Sequence, residues 1–487
     1  MRGKVDLPPA PPVPERLFRR LDWVSFAVTA LITLVGYWWT LAPDVTLEDS
    51  GELSVASMYL GVPHAPGYPV WTLYTWLFAT FLPVSNIAWR VAFSSAVAGA
   101  LSCGLVALMV SRGSSMILEG VAELKQLDRQ RENALCLVSG VVAGLLIGFN
   151  GFMWSQAVIV EVYTLSMLSL TAVLVCVLRW IYAPHQTRYL YFAFFWFGIC
   201  FNNHQSLLVI ALGLEAAVLM VAPRLARELL FWNGLVYLGG LIGLSMGYVS
   251  TLQDNPPLLL IYHLIGIASL IGWVMLSVQT KARMLELARN AALVASLGYL
   301  AVLFGHITNY VNYFEHRTGT FVLVNLFGLG CIAAFIHLVR QTRNLPRDWL
   351  AALGCGGAWG LGSAFYLAMP LFSMANPPMN WCYPRTVFGF FHAMTRGQYE
   401  KIHPTTDPLM YIKQIGMYIG GALDEFNVVY LLIGLIPFLF YKRLAKREKA
   451  WLVALTAIYL CLSFFLLMLL NPQADRQGRD LNRVFFT

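Results

Sequence analysis

Apolar runs of roughly 18 to 22 residues recur from one end of this chain to the other, divided by short polar or basic stretches. Runs of that length match the hydrocarbon thickness of a bilayer. The pattern therefore predicts an all-α polytopic membrane protein. The runs lie at 22–42, 90–110, 136–153 and 157–179, then in two shorter segments at 189–202 and 206–222. Others follow near 231–250, 258–278, 289–306, 320–339, 348–370, 425–441 and 451–470. The expectation is about 13 transmembrane helices. The aromatic stretch 70–83 is too short to cross and is bracketed by Pro69 and Pro83. It reads as a helix lying at the interface.

Basic residues between the runs set the orientation. Arg16, Arg19 and Arg20 precede the first run, so the loop 43–90 faces outward. With 70–83 left out of the count, the later basic groups fall inside. They are Arg112, Lys125, Arg129 and Arg131, then Arg179 and Arg188, Arg224 and Arg227, and Lys281, Arg283 and Arg289. Arg340, Arg343 and Arg347 follow, as do Lys442, Arg443, Lys446, Arg447 and Lys449. Counting 70–83 as a span would turn every later basic loop outward. The organisation expected is a cytoplasmic tail 1–21, a transmembrane domain 22–470 and an outer tail 471–487, with long outer loops at 43–90 and 371–424. The shorter outer segments are 154–161, 202–205, 251–257 and 306–318.

Composition agrees with this class. Of 487 residues, 58% are hydrophobic and 12% charged, against about 25% charged in soluble domains. The net charge of +8 is spread over interhelical loops, which points to membrane orientation and not to nucleic acid. Six of the eight cysteines (Cys103, Cys136, Cys176, Cys200, Cys331 and Cys461) lie in apolar runs, and none forms a close metal-ligand cluster.

Chemistry concentrates on the outer side. Asp49-Ser50-Gly51-Glu52 follows the first run, and His64-Ala65-Pro66-Gly67-Tyr68-Pro69 comes soon after. Carboxylates beside a spanning helix are costly near lipid and mark function by default. The plainer reading is a binding loop or a helix cap, since Asp and Ser also cap helices. Glu161 enters at the outer mouth of the fourth run, where it needs a partner; a structural pair is the alternative. His64 and His204 offer donors to phosphate or sugar hydroxyls, or else brace their turns. Tyr68 and Tyr163 stand beside these groups, and Tyr163 also suits an interfacial anchor. The stretch Asn376-Pro377-Pro378-Met379-Asn380-Trp381-Cys382-Tyr383-Pro384-Arg385-Thr386 offers Asn376, Asn380, Trp381 and Tyr383 as a sugar- or acceptor-binding surface. A rigid cover over the bundle is its plain alternative. Arg385 and Arg396 are the anion candidates, since guanidinium pairs with phosphate in a fork. No phosphate-binding glycine fingerprint is present.

These motifs carry a resemblance. The DSGE and HAPGYP elements, with Arg90 opening the next run, resemble the first outer loop of the GT-C superfamily of polyprenyl-phosphate-sugar glycosyltransferases. Trp154-Ser155-Gln156 through Glu161-Val162-Tyr163-Thr164, Asn203-His204-Gln205 and Asn376-Pro377-Pro378-Met379-Asn380-Trp381 resemble, more narrowly, the family of the plexin- and IPT-domain protein O-mannosyltransferase. The resemblance implies a GT-C-type fold with an outward active site. It implies a dolichyl- or undecaprenyl-phosphate-linked sugar donor, often mannose, and inversion at the anomeric carbon. Asp49 matches the catalytic acidic position, Glu52 is its neighbour and Glu161 matches the second acidic position. Some relatives use a divalent metal and others do not. The partners implied are the lipid-linked sugar, an acceptor protein and membrane lipid. The setting implied is a bacterial inner membrane or the endoplasmic reticulum, with chemistry on the periplasmic or lumenal side. Members often continue past Asp475-Arg476-Gln477 and Arg483-Val484-Phe485-Phe486, whereas this chain stops at Thr487, as a truncated or a minimal form.

Other functional classes remain. A lipid-linked sugar flippase calls for a cavity that reaches both faces, with broken helices near midplane, whereas the polar groups here cluster at the outer mouths. A noncatalytic membrane scaffold leaves the outer acids and arginines without a task.

Overall fold

The computed structural model describes residues 16–120, 127–247, 255–305, 317–342, 347–399 and 402–482. Residues 1–15, Lys125, Arg343, Arg483 and most of the expected outer loops 251–257 and 306–318 lie outside the described residues. Among the described residues the protein is all-α, and its one β feature is an isolated bridge. Among the described residues eleven helices are long and apolar enough to cross a membrane. The expected spans at 189–202 and 206–222 form shorter helices: Arg188–Asn203 has 16 residues, and a 3-10 turn at Gln205–Ile210 leads into Ala211–Val221. At 1.5 Å per residue the first reaches only about 24 Å, short of a bilayer core.

The chain divides into two compact units, Met1–Ala217 with Ala358–Glu400 and Asp407–Thr487, and Val218–Gly357 with Lys401–Thr406. In the larger unit, α1 (Arg20–Trp39) packs against α4 (Ile87–Gly120) and α5 (Arg129–Gly148). The reason lies in side-chain size. Helix α1 buries Ser25, Thr29, Thr33 and Tyr37, one position per turn. Helix α5 answers with Gly140, Gly144 and Gly148 at the same spacing. A Cβ on Gly144 would sit 2.5 Å from Thr29 Cγ2 and 2.8 Å from the Cys103 carbonyl. Between helices in lipid, such close backbone approach replaces the missing hydrophobic drive. Tyr37 locks the C-terminal ends of α1 and α5 together by donating to the Gly148 carbonyl at 2.7 Å.

Short elements surround these spans. Helix α2 (Ser50–Tyr59) has 10 residues, and α3 (Pro69–Phe81) has 13, too few to cross. Arg90 donates to the Ala79 carbonyl at 2.5 Å and to the Val84 carbonyl, so it closes the C-terminal end of α3. Helix α6 (Gly151–Ala157) precedes α7 (Tyr163–Tyr182). Glu161 therefore stands in the turn ahead of α7, which begins at Tyr163 and not at 157 as the apolar run suggests. We label Arg188–Asn203 α8 and Ala211–Val221 α9.

The smaller unit holds α10 (Pro223–Ser245), α11 (Pro256–Gln279), α12 (Met284–Gly305), α13 (Thr318–Gln341) and the beginning of α14 (Arg347–Ser363). It pairs α10 with α11 and α12 with α13. Gly266 admits the Tyr237 ring in the first pair, and Gly328 admits Tyr299 in the second. Only 6% of the apolar window of α13 is buried by protein, which fits a helix facing lipid.

The larger unit resumes with the short α15 (Ala368–Met374) and α16 (Val387–Met394). Helix α17 then begins at Pro408, well before the run expected at 425, because Asp407 caps it and Pro408 fills its first turn. The expected outer loop 371–424 is thus helical over its final part. Non-helical backbone at Asn427 (φ 60°, ψ 152°) interrupts α17 near the old boundary. Helix α18 (Lys446–Leu460) continues through a π segment, Cys461–Phe465, into Leu466–Leu470.

Candidate active site

Asp49 occupies the N-cap position of α2, yet its side chain makes no capping hydrogen bond. The carboxylate is left half-exposed, at 53%. Glu52, one turn on, turns back toward the loop: its Oε1 accepts from the His64 backbone N–H at 2.5 Å and lies 3.3 Å from His64 Nδ1. His64 Nε2 is 3.8 Å from Asp49 Oδ2 and 3.2 Å from the Tyr68 hydroxyl. One imidazole thus touches both acids and the tyrosine.

The loop carrying His64 is held from outside. Val62 donates to the Met379 carbonyl at 2.9 Å and accepts from Trp381 N–H at 2.9 Å, in a parallel bridge with Asn380. A Cβ on Gly61 would lie 2.5 Å from the Met379 carbonyl, so the two strands meet only because that position is glycine. Gly67, at φ +88°, provides the turn into Tyr68.

Glu161 arrives from the α6–α7 turn and is 4% exposed. Trp71 Nε1 donates to its carbonyl at 3.1 Å, and Ser95 Oγ does so at 3.3 Å. Its carboxylate accepts from Val162 N–H at 3.1 Å. Burial pushes this carboxyl up to about 8, and the charges of Glu48 and Asp49 push the same way. Glu161 is therefore largely protonated at neutral pH and can donate a hydrogen bond. Glu48 drew no notice in the sequence. It stands in left-handed backbone at φ 68°, close enough for its charge to raise the Glu161 carboxyl.

Arg396 is the cation that joins this group. Its charge reaches Tyr68, Tyr163 and His204. Its guanidinium lies 4.5 Å from the Tyr399 ring centre. His204 is pushed down to about 4 by burial and by Arg396, so it stays neutral, with Nδ1 paired to Ser206 Oγ. Its ring sits 5.5 Å from that of Tyr163. Gln205 donates to the Met394 carbonyl at 2.7 Å and to the Tyr366 hydroxyl at 3.1 Å. That link fixes the segment bearing Arg396 to the end of α8.

Arg385 is placed differently. It donates to Asn376 Oδ1 at 2.5 Å and lies over the Tyr383 ring at 5.4 Å, on an exposed surface. Trp381 and Tyr383 are exposed there too, while Asn380 donates to the Ser373 carbonyl at 3.3 Å. The two arginines thus belong to different neighbourhoods, Arg396 near Tyr68, Tyr163 and His204, and Arg385 at Asn376 and Tyr383.

Asp49, Glu52 and His64 can hold a metal ion: one donor atom from each lies within 4.8 Å of the others. Two carboxylates and an imidazole suit Mn²⁺, Zn²⁺ or a similar divalent cation. These residues are exposed or half-buried, open to an ion from outside.

Residues 49–227 match the family described as the protein O-mannosyl-transferase TMEM260 N-terminal domain. The mouse (Mus musculus) protein O-mannosyl-transferase TMEM260 is 30% identical over 145 residues, covering 30% of this chain and 17% of that protein. The Dictyostelium discoideum protein O-mannosyl-transferase tmem260 is 31% identical over 101 residues, 20% of this chain and 12% of that protein. The matches thus span under a fifth of the length of these relatives. No solved structure matches. Over residues 49–227, which carry Asp49, Glu52, His64, Glu161 and His204, the chain is similar to the N-terminal domain of the TMEM260 family of O-mannosyltransferase-related proteins.

Proposed function

We propose that the protein is an inverting glycosyltransferase of the GT-C type. It moves a sugar, mannose as the first choice, from a polyprenyl-phosphate donor to a protein hydroxyl on the extracytoplasmic side. The observation that carries this reading is the convergence of Asp49 and Glu52 on His64 beside Tyr68, with Glu161 and Arg396 within electrostatic reach of the same tyrosine. Inverting transfer needs a base for the acceptor, a cation for the leaving phosphate and donors for the sugar. Asp49 is free of capping duty and takes the hydroxyl proton as the acceptor oxygen bonds to the anomeric carbon. The bond from that carbon to the phosphate oxygen breaks, and its electron pair leaves with the phosphate. Arg396 stabilises that charge. Protonated Glu161 donates to the sugar or the acceptor. A divalent ion, when bound by Asp49, Glu52 and His64, supplies added positive charge to the phosphate. Exposed Trp381 and Tyr383 offer the acceptor a flat surface beside the site.

The test uses purified protein, a polyprenyl-phosphate mannose and folded acceptor domains. Release of polyprenyl phosphate that depends on the acceptor supports the reading. Donor movement between leaflets without release would favour a flippase instead.

A further inference from the structure

The smaller unit contains a second polar constellation, at the helix ends that the charge pattern places inside. The beginning of α10, the end of α11, the beginning of α12 and the beginning of α14 surround a cavity of about 360 Å³. Its floor is charge-balanced. Arg227 pairs with Glu228 at 2.5 Å and with Glu286 at 2.8 Å, and Arg289 lies 3.7 Å from Glu228. Arg289 is 2% exposed and stacks 4.7 Å from the Trp349 ring centre. A paired, buried layer of this kind holds its arginines rigid.

The rim is not balanced. Arg224, Lys281, Arg283 and Arg347 line the same cavity, against Asp348 alone. None of these four cations has an ion-pair partner among the described residues. Orientation by loop charge needs no cavity and no convergence. Cations from four helix ends around one polar space therefore point to an anion with several oxygens.

A neighbouring cavity supplies the second half of the argument. Trp273, Val274, Ser277, Val278, Ala282 and Leu287 line an apolar cleft of about 410 Å³, and Lys281 lines both spaces. Lys281 holds left-handed backbone, at φ 51°, where it closes α11. Glycine is the usual residue for such a cap, yet here a lysine stands at the junction. Val274 and Val278 are exposed beyond half of their surface, so the cleft opens to the bilayer. A polar basic cavity joined to a lipid-facing apolar cleft fits an amphiphile.

We infer that this face is a binding site for an anionic membrane lipid with a phosphate-monoester headgroup. The phosphate sits among Arg224, Lys281, Arg283 and Arg347, and an acyl or prenyl chain lies along Val274 and Val278. The site lies apart from the acids that carry the proposed transfer chemistry.

Native mass spectrometry of the full chain in detergent tests it, with dioleoyl phosphatidic acid, phosphatidylcholine of the same chains, dihexanoyl phosphatidic acid and inorganic phosphate as probes. Dioleoyl phosphatidic acid should bind at least tenfold tighter than phosphatidylcholine and than the short-chain form. The combined exchange Arg224→Gln, Lys281→Gln and Arg283→Gln should weaken it about tenfold or more. Lys442→Gln with Arg443→Gln, in another basic turn, should leave it unchanged. If the triple variant fails to fold, Arg347→Gln alone reads the same dependence. Equal binding of both lipids, or equal losses in the rim and control variants, overturns the site. Inorganic phosphate binding as well as the long-chain lipid overturns the lipid assignment in favour of a soluble anion.

Discussion

Val62 and Asn380 lie side by side in a single parallel bridge, with Val62 exchanging 2.9 Å hydrogen bonds with Met379 and Trp381. The two segments are far apart in sequence, yet this contact sets where His64 stands relative to the acids. Gly61 permits it. Gly61→Val would drive a side chain into the Met379 carbonyl, which a Cβ alone meets at 2.5 Å. The expected result is destabilisation by roughly 1–3 kcal/mol and loss of turnover, while Gly113→Ala, in open space, stays near the parent. Thermal unfolding and activity on matched amounts check both.

The link between Gly61 and Met379 shows what the sequence could carry. The polar outer elements and the apolar runs were legible because each is a local pattern. Their meeting was not, since a one-residue bridge has no periodicity. Arg385 and Arg396 looked alike as loop arginines, and only the tie from Gln205 to Met394 separates them. Glu48 was missed because a carboxylate in left-handed backbone gives no spacing signal. The early start of α17 was hidden by Lys413, Asp424 and several glycines in 408–424, which dilute an apolar pattern. The basic residues at 224, 281, 283 and 347 read as orientation signals, since each loop was seen alone.

The separation of the arginines gives a kinetic prediction. Arg396→Ala should raise the donor KM by roughly 10- to 100-fold, the scale of a lost charge-assisted hydrogen bond. Arg396→Lys should recover part of it, since the fork is lost. Arg385→Ala should act mainly on the acceptor KM, because Arg385 braces Asn376 and Tyr383. Similar donor KM values in both alanine variants remove Arg396 from the phosphate.

Orientation can be read with single cysteines. Leu47 is 88% exposed in the loop expected to face outward. Lys446 starts α18 on the expected inner side. In a Cys382→Ser background, an impermeant thiol reagent on intact cells should label Leu47→Cys and spare Lys446→Cys. Labelling of Lys446→Cys alone reverses the topology.

The buried Glu161 predicts a pH effect of definite sign. Its folded value is raised from 4.5 to about 8, so the folded state holds the proton more tightly than the unfolded chain. Between those values stability falls as pH rises, and above about 8 the full cost of the buried charge is present. Glu161→Gln should flatten the dependence of Tm on pH across this window and be relatively more stable at pH 8.5 than at pH 5. A parallel pH dependence in parent and variant would show that Glu161 titrates normally.

Asp49 carries the sharpest prediction. An N-cap aspartate that only capped could be replaced by Asn at little cost, since Asn caps equally well. Asp49 makes no capping bond, so Asp49→Asn should leave folding near the parent. As a base it has no substitute in Asn, and turnover should drop by roughly 10²–10⁴, with donor affinity kept. A metal role separates from a base role by ion dependence: if Asp49 acts chiefly by holding a cation with Glu52 and His64, excess Mn²⁺ restores part of the turnover. The same ion leaves a variant lacking only its base unrescued. Near-normal turnover in Asp49→Asn at matched folded protein would sink the base assignment and move it to Glu52 or Glu161.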